Sequence, residues 1–198
     1  MAEYAIRAEG LCKRFGELEI LRDVSLELPA TGVTMLTGPS GRGKTTLLMI
    51  LAGLLEPDAG RVDAAPGLRR AMVFQEDRLL EGVTARRNVE LVLRGARAAR
   101  SEAAGFALAR VGLEADADRR LGEFSGGMKR RVALARALAP QAGLILLDEP
   151  FAGLDDGTKE YIFQALREAA QAASLLVVTH DLRDAGALGA ARVVELGH

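Results

Sequence analysis

The stretch that decides the fold is Gly38-Pro39-Ser40-Gly41-Arg42-Gly43-Lys44-Thr45. It fits the pattern G-x-x-x-x-G-K-[ST], in which backbone amides cradle phosphates, the lysine reaches the outer phosphates and the hydroxyl binds magnesium. The apolar run 33–37 before it predicts a buried strand, and residues 45–52 predict a helix whose N-terminus favours an anion. A Gly-rich turn at a helix start is the plain alternative. We therefore expect a phosphate site between a strand and a helix.

Lysine is rare in this chain, and that favours the phosphate interpretation. Lys13, Lys44, Lys129 and Lys159 are the only lysines among 26 basic residues. Because arginine supplies most other positive charge, lysine at position 44 indicates a need for a compact ammonium.

The composition describes one globular domain. The 198 residues are 49% hydrophobic and 27% charged, and neither a leader nor an apolar run of about 18 residues is visible. We expect a cytosolic chain, and Cys12 as the only cysteine excludes an internal disulfide. The formal charge of -1 and the lack of tryptophan argue against general nucleic-acid binding.

Apolar and polar residues alternate near the N-terminus, which predicts strands with one solvated face. These strands are expected at 4–11 and 19–28, with a turn at Arg14-Phe15-Gly16 and a short edge strand at 61–63. Continuous apolar runs predict buried strands at 33–37, 71–74, 143–148 and 174–179, and a last strand at 191–196. Buried strands separated by helices predict an α/β fold with a mainly parallel sheet.

Helical spacing and Ala, Arg, Leu and Glu content predict a helical insertion at 76–131, with Ser101 as a helix N-cap. Further helices are predicted at 129–138 and 158–172. We expect a single domain, 1–198. Its nucleotide-binding core and β subdomain would comprise 1–75 and 132–198, and 76–131 would form the helical subdomain.

Polar residues follow the predicted buried strands, where ligands of parallel sheets bind. Besides the loop at 38–45, these are Gln75, Asp148-Glu149 and His180. Asp148 is suited to hold magnesium or its water shell, and Glu149 to polarise an attacking water. Each also has an ordinary interpretation, as a strand end, a solvated turn or a loop histidine.

Six motifs together resemble the ATP-binding-cassette (ABC) transporter ATPase. They are Gly38 to Thr45, Phe74-Gln75, Phe124 to Met128, Leu144 to Pro150, Gly153-Leu154-Asp155 and Thr179-His180-Asp181, in the family's order. The resemblance implies a P-loop NTPase core with an N-terminal antiparallel β part and an inserted α-helical subdomain. It also implies ATP and Mg²⁺ as cofactors.

The resemblance also implies roles for the site residues. Glu149 would be the catalytic base, His180 would contact the γ-phosphate, and Gln75 would touch magnesium and the attacking water. Magnesium would be held by Thr45, Gln75 and Asp148. ATP would be bound by Phe15, Gly38, Pro39, Ser40, Gly41, Arg42, Gly43, Lys44, Thr45 and Thr46. Phe15 would stack on adenine, although a core phenylalanine is the alternative.

A second helix start with exposed amides is predicted at Ser125-Gly126-Gly127. By resemblance it faces the γ-phosphate on another ATPase subunit, so that two subunits sandwich two ATP molecules, and Asp155 couples the two sites. The family's usual motif is Leu-Ser-Gly-Gly-Gln. Here Phe124 and Met128 depart from it, and Met128 removes a side-chain amide.

The implied function is the ATPase subunit of a membrane transporter, on the cytoplasmic face of the cell membrane. Its partners would be a second ATPase subunit, permease subunits that contact the insertion and, for an importer, a substrate-binding protein. Leu79, Leu80 and Val83 are candidates for that contact, or equally for packing within the insertion. The sequence of residues 74–80 most resembles that of bacterial importers of small oxyanions or sulfonates. A soluble ABC ATPase of DNA repair or translation and a non-catalytic regulator are the alternatives.

Overall fold

A five-stranded parallel sheet and a three-stranded antiparallel sheet organise the chain, in a computed structural model that describes residues 3–196. The strands are β1 Tyr4–Phe15, β2 Leu18–Pro29, β3 Gly32–Thr37, β4 Ala59–Ala64, β5 Arg70–Val73, β6 Leu144–Asp148, β7 Ser174–Val178 and β8 Arg192–Glu195. The helices are α1 Lys44–Leu51, α2 Ala85–Glu90, α3 Arg97–Arg110, α4 Gly126–Leu138, α5 Asp156–Ala170 and α6 Leu182–Leu188. Among residues 3–196, no helix combines the length and apolar character needed to cross a membrane.

The parallel sheet has the strand order β5-β6-β7-β3-β8. Every residue of β6 and β7 is buried, as expected for central strands with continuous apolar sequences. Val178 pairs with both Leu36 and Asp148, so β3, β6 and β7 end at the same edge. The loops after these strands therefore leave the sheet together, and the predicted mainly parallel sheet is confirmed.

The parallel sheet separates two apolar layers because alternate side chains point to opposite faces. Ile145 and Leu147 pack in a cluster with α2 to α5. Leu144 and Leu146 pack in a second cluster with α1 and the antiparallel sheet. Covered on both faces, the sheet forms a rigid support for the loops at its edge.

The antiparallel sheet has the order β2-β1-β4, so the predicted N-terminal antiparallel part is confirmed and β4 is an edge strand. The turn predicted at Arg14-Phe15-Gly16 is wrong in position. Arg14 and Phe15 belong to β1 and pair with β2, and the turn consists of Gly16 and Glu17. Gly16 has φ +60°, which glycine adopts readily.

The helical insertion differs from its prediction in detail. Ser101 is not an N-cap, because α3 begins at Arg97 and the helix-favouring residues before Ser101 extend it. The helix predicted from residue 129 begins at Gly126, and α6 was not predicted. The boundary proposed between residues 131 and 132 lies inside α4, and the division into core and helical subdomain stays a prediction.

Candidate active site

A cavity of about 340 Å³ opens at the edge where the parallel strands end. It brings together residues from the loops after β3, β5, β6 and β7, as the strand-end rule predicts. Its lining consists of Ile20, Ser40, Gly41, Gly43, Lys44, Thr45, Thr46, Gln75, Asp148, Glu149, Val178 and His180.

Two glycines of the loop at 38–43 are required by close contacts. Gly38 has φ +138°, and a Cβ there would lie 2.7 Å from the Leu196 carbonyl oxygen. Gly43 has φ +84°, and a Cβ there would lie 2.8 Å from Ile20 Cγ2. The loop can therefore take this path only with glycine at both positions.

Lys44 places its ammonium inside the loop. The residue is 7% exposed, and Nζ donates hydrogen bonds to the carbonyl oxygens of Gly38 at 2.7 Å and Pro39 at 2.8 Å. The ammonium and the N-terminus of α1 thus supply positive potential beside one cavity. That arrangement suits a polyphosphate.

Asp148 and Thr45 join the end of β6 to the start of α1. Thr45 Oγ1 donates to Asp148 Oδ2 at 2.7 Å, and Asp148 is 2% exposed. Gln75 lines the same cavity. Within residues 3–196, no cluster of three or more His, Cys, Asp or Glu side chains could hold a metal alone. A hydroxyl, one carboxylate and an amide nevertheless fit Mg²⁺, which takes its remaining ligands from phosphates and water.

Glu149 has an unusual environment for a carboxylate. Burial raises its pKa, the neighbouring His180 lowers it, and Asp148 raises it further. Its Oε1 is buried and accepts no hydrogen bond from the described residues. His180 Nε2 lies 3.1 Å from that oxygen. A carboxylate with a raised pKa and a free lone pair in a cavity is suited to accept a proton from water.

Ser125-Gly126-Gly127 and Asp155 lie outside this cavity's lining and form helix starts elsewhere. Ser125 caps α4 by accepting from the Met128 amide at 3.3 Å, and within the described part of the chain no residue beyond its neighbours would contact a Cβ at Gly126. Asp155 caps α5 through the Thr158 amide and hydroxyl, and these hydrogen bonds lower its pKa. Both helix starts are open to solvent.

Phe15 and Arg42 lie apart from the cavity. Phe15 is 52% exposed, which excludes the core alternative, and Lys13 Nζ lies 5.8 Å from its ring centre. Arg42 lines a neighbouring cavity of about 460 Å³ beside β2, together with Ser40 and Gly41. Their contact with a nucleotide stays a prediction.

The sequence patterns missed two buried charged residues near the site. Asp184, on α6, accepts from Thr179 Oγ1 at 2.9 Å and so supports the loop that carries His180. Arg130 contacts the backbone of Asp148 and Glu149. Asp184 follows the Thr-His-Asp motif closely, whereas Arg130 lies in a run of basic residues typical of a solvated helix face.

Comparisons with known proteins identify the family of this chain. A family model described as ABC transporter matches residues 21–152. The chain is 44% identical over 176 residues to the taurine import ATP-binding protein TauB of Chromobacterium violaceum, which covers 83% of this chain and 67% of the relative. It is also 44% identical over 195 residues to the aliphatic sulfonates import ATP-binding protein SsuB 1 of Nocardia farcinica. That alignment covers 97% of this chain and 78% of the relative.

A solved structure is similar over nearly the whole chain. It is a dimeric ATP-binding cassette in a post-hydrolysis state, bound to ADP and Pi. The TM-score is 0.86 at 31% identity, over 96% of this chain and 93% of that chain. Other relatives, at 39% and 43% identity, are named for the import of sulfate or thiosulfate and of zinc.

Proposed function

The chain belongs to the ATP-binding subunits of the ABC transporter family, and from this premise we propose that it hydrolyses ATP to drive import through separate membrane subunits. One observation carries the proposal. The phosphate loop, Asp148, Glu149 and His180 line a single cavity. That set supplies what ATP hydrolysis requires from a protein, which is positioning and charge stabilisation.

ATP binding begins at the phosphate loop. The amides of residues 38–45, the N-terminus of α1 and Lys44 attract the phosphates. Lys44 exchanges its hydrogen bonds with the Gly38 and Pro39 carbonyls for bonds to phosphate oxygens. We place adenine toward Phe15, whose exposed ring is accessible for stacking.

Hydrolysis then depends on Glu149. The Glu149 carboxylate accepts a proton from a water whose oxygen attacks the γ-phosphorus. The bond from phosphorus to the β-γ bridging oxygen breaks, and the electron pair leaves with ADP. The raised pKa of Glu149 makes the carboxylate a better base than an exposed one. His180, beside Oε1, is placed to contact the transferred phosphoryl group.

Magnesium would be held by Thr45 and Asp148, with Gln75 at its water shell. When bound there, it would supply positive charge that offsets the phosphate charge developing during transfer. The chain's own contribution is to hold the hydroxyl of Thr45 and the carboxylate of Asp148 within 2.7 Å of one another.

A second ATP-binding subunit would complete the site. Ser125-Gly126-Gly127 opens α4 with exposed amides that lie outside the cavity of its own chain. A similar cassette is dimeric in its solved structure. These observations support a sandwich in which each subunit's α4 start closes the other's cavity, and in which Asp155 couples the two cavities.

Permease subunits would contact apolar side chains that are exposed on the helical insertion. Leu80, Leu91 and Val92 are 54%, 48% and 43% exposed. Of the other two residues predicted for this contact, Leu79 packs against the core and Val83 is half-buried. We place the chain at the cytoplasmic face of the membrane, with a substrate-binding protein on the opposite face.

The transported substrate is selected by the partners rather than by this chain. Named relatives import taurine and aliphatic sulfonates, but others import sulfate or zinc. Sulfonates are therefore the first class to test.

Co-expression with a multi-span membrane protein encoded beside this chain tests the transporter proposal. We expect the chain to co-purify from detergent with that protein, and Leu80→Glu to weaken the complex without changing the melting temperature of the isolated chain. Failure of every such protein to retain the chain would contradict the role in transport, while ATP turnover would remain a separate measurement.

A further inference from the structure

Arg130 is a buried charge that the proposed function does not use. It lies in α4, and its side chain is 4% exposed. Because burying a charge is costly unless it is paired and hydrogen-bonded, the partners of this guanidinium indicate what it does.

The guanidinium links two loops of the active site. Nη1 donates to the Phe74 carbonyl at 2.6 Å and to Asp77 Oδ1 at 3.0 Å, with the Gln75 carbonyl at 3.3 Å. Nη2 donates to the carbonyls of Asp148 at 2.8 Å and Glu149 at 2.5 Å. One side chain thus holds the loop that starts the helical insertion and the loop that carries the catalytic carboxylate.

Glu149 needs such support because its backbone is strained. Its φ is +50°, in the left-handed region that residues other than glycine seldom occupy. Strained residues persist only where their surroundings fix them. Here the Glu149 amide donates to the Val178 carbonyl at 3.0 Å, and Arg130 Nη2 donates to the Glu149 carbonyl.

We propose that Arg130 is a positioning residue that keeps Glu149 in the conformation from which its carboxylate faces the cavity, and that ties this conformation to the Gln75 loop. The proposal rests on the proposed function, in which Glu149 is the base. A membrane partner that moves residues 74–77 would, through Arg130, also move Glu149. The membrane partner would thereby control hydrolysis without touching the nucleotide.

Arg130→Lys is the most informative variant because it keeps the positive charge and removes the guanidinium group with its two donor nitrogens. A lysine carries three donors on a single nitrogen, so it cannot replace the hydrogen bonds that two separate guanidinium nitrogens make to the two loops. Arg131→Lys is the matched control on the same helix. Arg131 donates to the carbonyls of Val111 and Gly112, which belong to neither loop.

The first measurement is the steady-state kinetics of the whole chain. We expect Arg130→Lys to lower kcat at least about tenfold while KM for ATP stays within about threefold, because misplacement of a reacting group affects the chemical step. The control Arg131→Lys should keep kcat within about threefold of wild type. Wild-type kcat in Arg130→Lys, or an equal loss in Arg131→Lys, would overturn the proposal.

The second measurement is independent of turnover. Amide hydrogen exchange of segments 74–78 and 148–152 should be at least about tenfold faster in Arg130→Lys than in wild type, with α5 unchanged. Unchanged exchange in both segments would overturn the proposal. A wild-type chain without ATPase activity would instead refute the proposed function, and hydrogen exchange would still test the link between the loops.

Discussion

His180 Nε2 lies 3.1 Å from Glu149 Oε1, which joins the loops after the neighbouring strands β7 and β6. The glutamate side chain is 19% exposed and the histidine side chain 56% exposed. A half-buried carboxylate therefore lies beside a solvent-exposed imidazole. The protonation of Glu149 depends on both burial and that neighbour.

The acid side of the pH profile should report on this pair. Glu149 must be ionised to accept a proton, so turnover falls as pH falls through its pKa. Burial and Asp148 raise that pKa, whereas His180, Lys44 and Arg130 lower it. The loss should begin at a higher pH than for an exposed glutamate, and His180→Ala should move it higher still. The kcat of both proteins against pH checks this, and a profile that moves to lower pH in the variant would refute it.

The path of the phosphate loop should tolerate no side chain at Gly43. A Cβ there would meet Ile20 Cγ2 at 2.8 Å, at φ +84°. Gly43→Ala should cost about 1–3 kcal/mol of stability and abolish measurable ATP binding. Thermal melts and nucleotide titrations check this prediction.

Gly186→Ala, in α6, is the control, because among the described side chains and backbone outside its own helical turns no atom lies within 4 Å of its Cβ position, and alanine favours a helix. It should leave ATP binding unchanged and stability equal or slightly higher. Equal behaviour of the two variants would contradict the account of the loop.

If each active site is built from two copies of this chain, a mixture of two inactive variants should recover activity. Ser125→Arg blocks the α4 start, and Glu149→Gln removes the base. A mixed pair contains one site with both groups intact, so an equal mixture should recover up to about a quarter of wild-type turnover. Phosphate release from the two variants, alone and mixed, is the measurement. No recovery at any ratio would argue against a site shared between two copies.

Much of the candidate site could be predicted because the ends of the parallel strands determine where the residues that follow them lie. Asp148, Glu149 and His180 each follow a continuous apolar run, and the ends of such strands meet at one edge. The chemistry of each residue then follows from its position beside the phosphate loop.

The remaining features depend on contacts that local patterns do not record. Ser101 resembles an N-cap, but good helix formers from Arg97 onward start α3 earlier. The basic run around Arg130 predicts a solvated side chain. The tertiary structure instead buries Arg130 against loops that are distant in the sequence. The local sequence predicts Phe15 in a turn, whereas pairing with β2 extends β1 through it.

The most direct test of the account replaces Glu149 by glutamine. The substitution preserves shape and removes the proton acceptor, while the phosphate loop and Lys44 are unchanged. We expect ATP affinity within about threefold of wild type and phosphate release reduced at least about 100-fold. Glu160→Gln, at an exposed glutamate of α5, should leave both unchanged. Near-normal phosphate release by Glu149→Gln would contradict the account.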